Sequence, residues 1–261
     1  NTNKFYVHMR LFNTKKIEFI VKKLFNFSEA SNLKRRAKRY LKKNTEREIR
    51  ILNKLVDKKK GSIDIGVYRG VYSYFLTQYS DFVYAFEANP LLHSKLNSSF
   101  KNHHNIKLEN LAVSDKDGYT TLRIPIRDIK ADYDVDQKYK LGIATIHSGN
   151  ELQHENFETL DKIQTVSLDS YKFQHPIGFM KIDVEGHELE ILKGANNFLE
   201  KNKPTMLIEI EERHSGLPRE EIISYIENIG YETFYVNEQF EVTPVKNIEL
   251  VSNHNFLFKP K

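Results

Sequence analysis

Gly61-Ser62-Ile63-Asp64-Ile65-Gly66-Val67-Tyr68-Arg69-Gly70 is the stretch on which the fold turns. Ser62 to Ile65 reads as a buried strand, Gly66 and Gly70 frame a tight turn, and a helix follows to about Tyr79. The same rhythm extends outward. Phe82 to Phe86 is a second strand, and the next helix has Pro90 in its first turn with Leu91, Leu92, Leu96 and Phe100 along it. Ile106 to Leu108 makes a third strand. Residues 117–168 break the pattern: Tyr119 to Ile126 and Ile163 to Leu168 read as extended, and 127–158 reads as a polar loop insertion or lid. Alternation resumes with a strand over Gly178 to Val184, a helix from His187 to about Asn202, a strand from Thr205 to Ile210, a helix from Pro218 to Ile229 and a strand from Tyr231 to Val236. Asn255 to Phe258 adds one more. Continuous apolar strands between helices predict an α/β fold, a mostly parallel sheet with helices on both faces. Ligands in such sheets bind beyond the carboxyl ends of the strands, so function is sought there.

Composition narrows the class. The 261 residues, 39% of them hydrophobic, suffice for one full-sized core plus an appendage, and 29% charged residues with 12% aromatics exclude a disordered chain. The absence of cysteine removes disulfide scaffolds, thiolate metal sites and cysteine nucleophiles. No apolar run reaches the roughly 18 residues of a membrane-spanning helix. The formal charge of +5 is unevenly placed: residues 1–60 hold 19 basic and 5 acidic residues, and the remainder is acidic. Residues 1–60 read as a basic helical extension. Ile17, Ile20, Val21 and Leu24 mark one helix, Leu33, Ala37, Tyr40 and Leu41 a second, and Thr45-Glu46-Arg47-Glu48 a capping box opening a third. The plainest reading is a solvated extension whose apolar stripe packs on the main domain. An anionic membrane surface ranks second as partner, and nucleic acid last, since no nucleic-acid motif accompanies the charge.

The strand ends carry the chemistry. After the first strand, neither G-x-G-x-x-G nor the phosphate-binding P-loop occurs, and Asp64 would repel a pyrophosphate but welcome an ammonium group. Glu87, at the end of the second strand, is placed to accept hydrogen bonds from two ribose hydroxyls. Asn110-Leu111-Ala112-Val113-Ser114 ends the third strand, where an adenine edge is expected. In Lys181-Ile182-Asp183-Val184-Glu185-Gly186-His187-Glu188, Lys181 and Asp183 share one face of the strand. Glu209 and His214 follow at the neighbouring strand end. So many ionisable groups are costly there unless paired or used.

Taken in order, Asp64-x-Gly66-x-x-x-Gly70, Ala85-Phe86-Glu87-x-Asn89-Pro90, Ala112-Val113-Ser114, Lys181-Ile182-Asp183-Val184-Glu185-Gly186-x-Glu188, Leu192-Lys193-Gly194-Ala195, Glu209 and Gly230-Tyr231 resemble the FkbM-type family of S-adenosylmethionine-dependent methyltransferases. The resemblance covers about residues 61–236. It differs at Tyr68, where the family usually has Asn, at Ala88, where it has Pro, and at Arg69. It implies a Rossmann-like class I methyltransferase domain over residues 61–261, with a seven-stranded sheet. It also implies S-adenosylmethionine across the first strand ends, with S-adenosylhomocysteine as product, and methyl transfer to a hydroxyl, often of a sugar in a glycan, glycolipid or natural product.

The resemblance assigns the residues as follows. Asp64 holds the methionine ammonium, and Gly66, Val67, Tyr68, Gly70 and Ser73 surround the methionine carboxylate and sulfonium. Glu87 and Ala88 meet the ribose, and Asn110 and Ala112 the adenine. Asp183 is the first candidate for the base that takes the acceptor's proton and also touches the cofactor; His214, Glu209 and His187 are the others. Lys181 reads as a structural partner of a carboxylate, and His103, His104 and His147 as surface residues. Asp183-x-Glu185-x-His187 is a mixed set without a thiol, and no metal is assigned. The competing readings are a nucleic-acid methyltransferase, a nicotinamide-dependent oxidoreductase, and a non-catalytic binding protein that keeps the fold. The expected partner is a small-molecule or glycan acceptor and the expected location cytoplasmic, peripheral at the membrane. The oligomeric state is not legible.

Overall fold

The structure is a computed structural model and describes residues 28–43, 46–126, 142, 144–147 and 156–261. The helix expected over Ile17 to Leu24 and most of the 127–158 insertion lie outside these residues.

The chain begins with α1 (Glu29–Lys43) and α2 (Arg47–Leu55), then β1 (Gly61–Ile65), α3 (Val71–Tyr79), β2 (Val83–Phe86), α4 (Pro90–Phe100) and β3 (Ile106–Glu109). Next come β4 (Ala112–Val113), β5 (Gly118–Pro125) and β6 (Phe157–Val166). The second half runs β7 (Ile177–Ile182), α5 (Glu188–Lys193), α6 (Asn196–Asn202), β8 (Thr205–Glu209), α7 (Glu212–Ser215), α8 (Arg219–Asn228), β9 (Tyr231–Val236), β10 (Val242–Pro244) and β11 (Asn255–Pro260). The main sheet has the order β10-β9-β11-β8-β7-β1-β2-β3. β3, β2, β1, β7 and β8 pair in parallel, and β11 inserts antiparallel between β8 and β9. The sheet therefore has eight strands where seven were expected; the extra one is the short β10, which folds back on β9 at the edge. It is three residues long, half-exposed and closed by Pro244, too short to register as a strand in the sequence.

The interrupting segment forms a separate sheet, β4-β6-β5. β6 starts at Phe157, earlier than the expected Ile163, because its outward face is polar and alternation, not an apolar run, marks it. The helix expected from His187 to Asn202 is two helices. A Cβ at Gly194 would lie 2.3 Å from the Ser114 carbonyl oxygen, so the chain bends there to pass that backbone.

Side chains alternate across the main sheet. Ile63, Ile65, Tyr84, Phe86, Met180, Ile182, Met206 and Ile208 pack on one face, under α5, α6 and α8. Val83, Ala85, Phe179 and Leu207 pack on the other with Leu33 and Ala37 of α1, Ile49 and Leu52 of α2, and Phe75 and Leu76 of α3. The apolar stripes of α1 and α2 are thus buried in the same core as α3, while Lys34, Arg35, Lys38, Lys42 and Lys43 remain exposed. The N-cap of α2 is Glu46, one residue beyond the expected cap Thr45, and its side chain makes no capping bond because it turns into the protein. Among the described residues no helix is long and apolar enough to cross a membrane.

Candidate active site

β1 and β7 lie side by side and lead away from each other, β1 toward β2 and β7 toward β8, which opens a crevice at their carboxyl ends. The turn after β1 approaches the end of β7 so closely that a Cβ at Gly66 (φ 84°) would stand 1.8 Å from the Asp183 carbonyl oxygen. Only glycine fits. Above this junction is a cavity of about 250 Å³, which shares Tyr40, Glu46, Gly66, Tyr68 and Asp183 with a smaller one of about 50 Å³. A larger cavity, about 450 Å³, lies at the other end of the sheet, before β8 and β9, among Leu199, Tyr231 and Lys261. It is away from the strand ends that carry the ionisable cluster.

Glu87, 7% exposed, borders the main cavity. Its Oε2 accepts the Tyr68 N–H at 2.8 Å and its Oε1 the Asn89 N–H at 2.9 Å. Each oxygen keeps a lone pair for a further donor. Burial pushes its pKa up to about 7 against these two donors. Leu92, Ala112, Val113, Leu122 and Ile146 supply apolar walls beside it. Of the candidate site residues, Asp64, Gly66, Val67, Tyr68, Ala88, Ala112, Asp183 and Glu209 border one cavity or the other.

Other expected contacts lie behind the cavity. Ser73 is fully buried and donates its hydroxyl to Asp64 Oδ2 at 2.5 Å, so it orients that carboxylate. Asn110 donates through Nδ2 to the carbonyls of Glu87 and Ala88, at 2.8 and 3.1 Å, and buttresses the β2 end. Gly70 is the left-handed N-cap of α3, where a Cβ would press on Phe100 and Leu96. The Tyr68 ring carries the Arg69 guanidinium 5.2 Å from its centre and packs against Gly142.

The acidic cluster is organised by one buried cation. Lys181 Nζ lies 3.2 Å from Asp183 Oδ2, and the two side chains are 1% and 34% exposed. Burial raises Asp183, but Lys181, Glu209 and His214 outweigh it and hold the carboxyl below its usual range. Burial and the Asp183 charge push Glu209 up to about 9, so Glu209 is the protonated partner and Asp183 the ionised one. His214 stands 2.6 Å from Glu185 Oε2 through Nδ1; burial opposes its charge, but that contact raises its pKa. His187 turns away from the cavity. It is 9% exposed, sits 2.9 Å from Ser114 Oγ through Nε2, and burial holds its pKa down. His147, expected at the surface, is half-buried with its ring centre 5.9 Å from that of His187.

Sequence reasoning missed three contributors. Tyr40 and Glu46, from the basic extension, border both cavities. Tyr72, on α3, borders the smaller; its hydroxyl lies beside Glu46 but makes no hydrogen bond of ordinary geometry among the described residues. The available signal was Glu46 itself, an acid in a strongly basic segment, which had been given to a cap instead.

The cavity fits S-adenosylmethionine: paired acceptor lone pairs on Glu87, apolar walls next to them, and at the far end the carboxylate of Asp64 with the orphaned hydroxyl of Tyr72. A Rossmann-like sheet with this site at its crevice defines a class I S-adenosylmethionine-dependent methyltransferase. The sequence pattern of the Methyltransferase FkbM domain matches residues 64–233, about two-thirds of the chain, and the protein belongs to that family.

Among solved structures, the chain is similar to the FkbM methyltransferase of Methylobacillus flagellatus KT, at 15% identity and a TM-score of 0.47, over 78% of this chain and 44% of that one. This chain therefore spans under half the length of that protein. It is also similar to an rRNA methylase of Streptococcus thermophilus (14% identity, TM-score 0.41, 81% and 93% of the two chains). A third is the Streptococcus mutans protein SMU.1697c in complex with SAH (11% identity, TM-score 0.43, 81% and 94%). No curated protein matches the chain in sequence.

Proposed function

We propose that the protein methylates a hydroxyl group, that of a sugar in a glycan, glycolipid or natural product, with Asp183 receiving the hydroxyl's proton. The bound cofactor supplies an electrophilic methyl carbon on a positively charged sulfur. Glu87 would take the ribose hydroxyls on its free lone pairs, Asp64 and Glu46 the ammonium, and Tyr72 the carboxylate.

The observation that carries this reading is the ionised, 34% exposed Asp183 side chain beside Gly66 and Glu209 on the cavity. A sugar hydroxyl releases its proton only far above neutral pH, and a positioned base typically contributes about 10²–10⁴-fold. Asp183 is a weak base because Lys181 holds its pKa down. It therefore orients the hydroxyl and takes the proton late, once the oxygen has given up most of its electron density. Protonated Glu209 donates to Asp183 and keeps its carboxylate in place. His214, paired with Glu185, adds positive charge that favours the ionised form of Asp183.

Calorimetric titration with S-adenosylmethionine, S-adenosylhomocysteine and NAD, on the wild type and Glu87→Ala, tests the cofactor end. Both sulfur ligands should bind saturably, NAD little, and the variant much more weakly. An acceptor screen beginning with glycans tests the rest. Turnover on a hydroxyl substrate should fall by about 100-fold or more in Asp183→Asn, a far larger loss than that in cofactor affinity. Turnover indifferent to that substitution would sink the assignment.

One observation bears on where the acceptor is carried. The exposed Lys34, Arg35, Lys38, Lys42 and Lys43 share α1 with Tyr40, which borders the cavity. That favours an acceptor displayed on an anionic surface, such as a glycolipid in an acidic membrane, over a free sugar. Sedimentation with phosphatidylserine vesicles should be strong at low salt and lost at high salt; binding to single- or double-stranded RNA instead would favour the nucleic-acid reading.

A further inference from the structure

We infer that His147, His187 and Glu190 bind one divalent transition-metal ion, with zinc the best match, and that this ion clamps the loop around residues 144–147 onto α5.

The three side chains offer ligand atoms that all lie within 4.8 Å of one another. Hydrogen bonding around His187 sets the tautomer. The Ser114 hydroxyl donates to Asp115 Oδ1 at 3.0 Å, so at 2.9 Å it accepts the Nε2–H of His187. Nδ1 therefore carries a bare lone pair. It is buried without a hydrogen-bond partner among the described residues, as is Glu190 Oε2, and the two atoms face each other at 3.9 Å. Two dry acceptors pointed at one another are costly. The distance is too long for a hydrogen bond and suits two ligands of one cation.

The rest of the surroundings agree. The Asp115–Ser114–His187 chain is the outer-sphere support that fixes a metal-binding imidazole. Two imidazoles and one carboxylate suit zinc and its transition-metal neighbours, not calcium or magnesium, which prefer all-oxygen sets. Around zinc at about 2.1 Å, ligand atoms stand about 3.4 Å apart, so the His147 loop would close by about an ångström on binding. His187 and Glu190 sit one helical turn apart at the start of α5, and a water can complete the coordination. The clamp matters because Ala144 and Ile146, just before His147, line the cofactor cavity, and Thr145 donates its hydroxyl to the Glu185 carbonyl at 2.9 Å. The ion would hold that wall in place.

The test uses the untagged full chain, stripped with chelator and dialysed against zinc or cobalt(II). Metal analysis should find a single tightly held ion, and the cobalt form should show the visible bands of a low-coordinate nitrogen–oxygen site. His147→Ala and Glu190→Gln should keep the wild-type circular dichroism and each weaken metal binding by at least about tenfold. Amide hydrogen exchange over 144–147 should slow on adding zinc to the wild type and not to the variants. The proposal is overturned if the wild type holds no metal after dialysis, or if the double variant holds it as tightly as the wild type.

Discussion

Lys181 Nζ sits 3.2 Å from Asp183 Oδ2 and faces Asp64 across the β1–β7 register, with its side chain 1% exposed. It is the charge that lets Asp64, Asp183 and Glu46 share one crevice, and burial of that ammonium is offset by Asp183 and Glu46. Removing one partner of a buried pair leaves the other uncompensated. Lys181→Met should lower unfolding free energy by about 3–5 kcal/mol in denaturant titration. Adding Asp183→Asn should recover part of that loss. A Lys181→Met variant as stable as wild type would mean that the cluster is neutralised by protons instead.

Glu209 gives the opposite kind of prediction. Its folded-state pKa, about 9, lies above the ordinary 4.5. Below pH 4.5 the group is protonated in both states. As pH rises, the unfolded chain ionises first and stability falls, by up to about 1.4 kcal/mol per pH unit, until the folded group also ionises near 9. Glu209→Gln mimics the protonated acid and keeps a donor for Asp183. It should fold well and show a flatter fall of stability between pH 5 and 9 in thermal melts, whereas Glu209→Ala should be destabilised throughout.

Cofactor binding should itself depend on pH. Glu87 has a pKa raised to about 7 by burial, and the ionised form is the better acceptor for ribose hydroxyls. Affinity for S-adenosylhomocysteine should therefore rise as pH increases through 7, with protons released on binding. Calorimetry in buffers of different ionisation enthalpy measures that release. Glu87→Gln should abolish the release and cost about 2–3 kcal/mol, roughly 30- to 150-fold in affinity.

The fold was legible because the parallel strands are continuous apolar runs and the glycine turns fall between them. What escaped had a physical cause in each case. β10 is only three residues closed by Pro244, the first half of β6 is half-exposed and polar, and the break at Gly194 answers a backbone 80 residues away. Glu87, Asp64 and Asp183 were legible as cavity-lining candidates because each stands at or just past the carboxyl end of a strand. Glu46 and Tyr40 were not, because α1 reaches the crevice by packing on α3 and α4, and α2 by packing on α3, contacts no local pattern encodes. His187 reads as a candidate base, yet its ring is held by Ser114 and does not line the cavity.

Glu46 gives the sharpest test of that packing. It lines both cavities and lies close enough to Lys181 and the Tyr72 hydroxyl to feel their charge and dipole. Only the amino-acid end of the cofactor carries an ammonium that would pair with it. Glu46→Gln should therefore weaken S-adenosylhomocysteine by about 1.5–2.5 kcal/mol, roughly 10- to 70-fold, the range for a hydrogen bond to a charged group. It should leave 5′-methylthioadenosine, which lacks the amino-acid end, within about twofold. Truncation before residue 61 should reproduce the loss only with a large drop in stability, since Leu33, Ala37, Ile49 and Leu52 leave the core with it. If both ligands weaken equally in Glu46→Gln, the residue shapes the crevice and does not contact the ammonium.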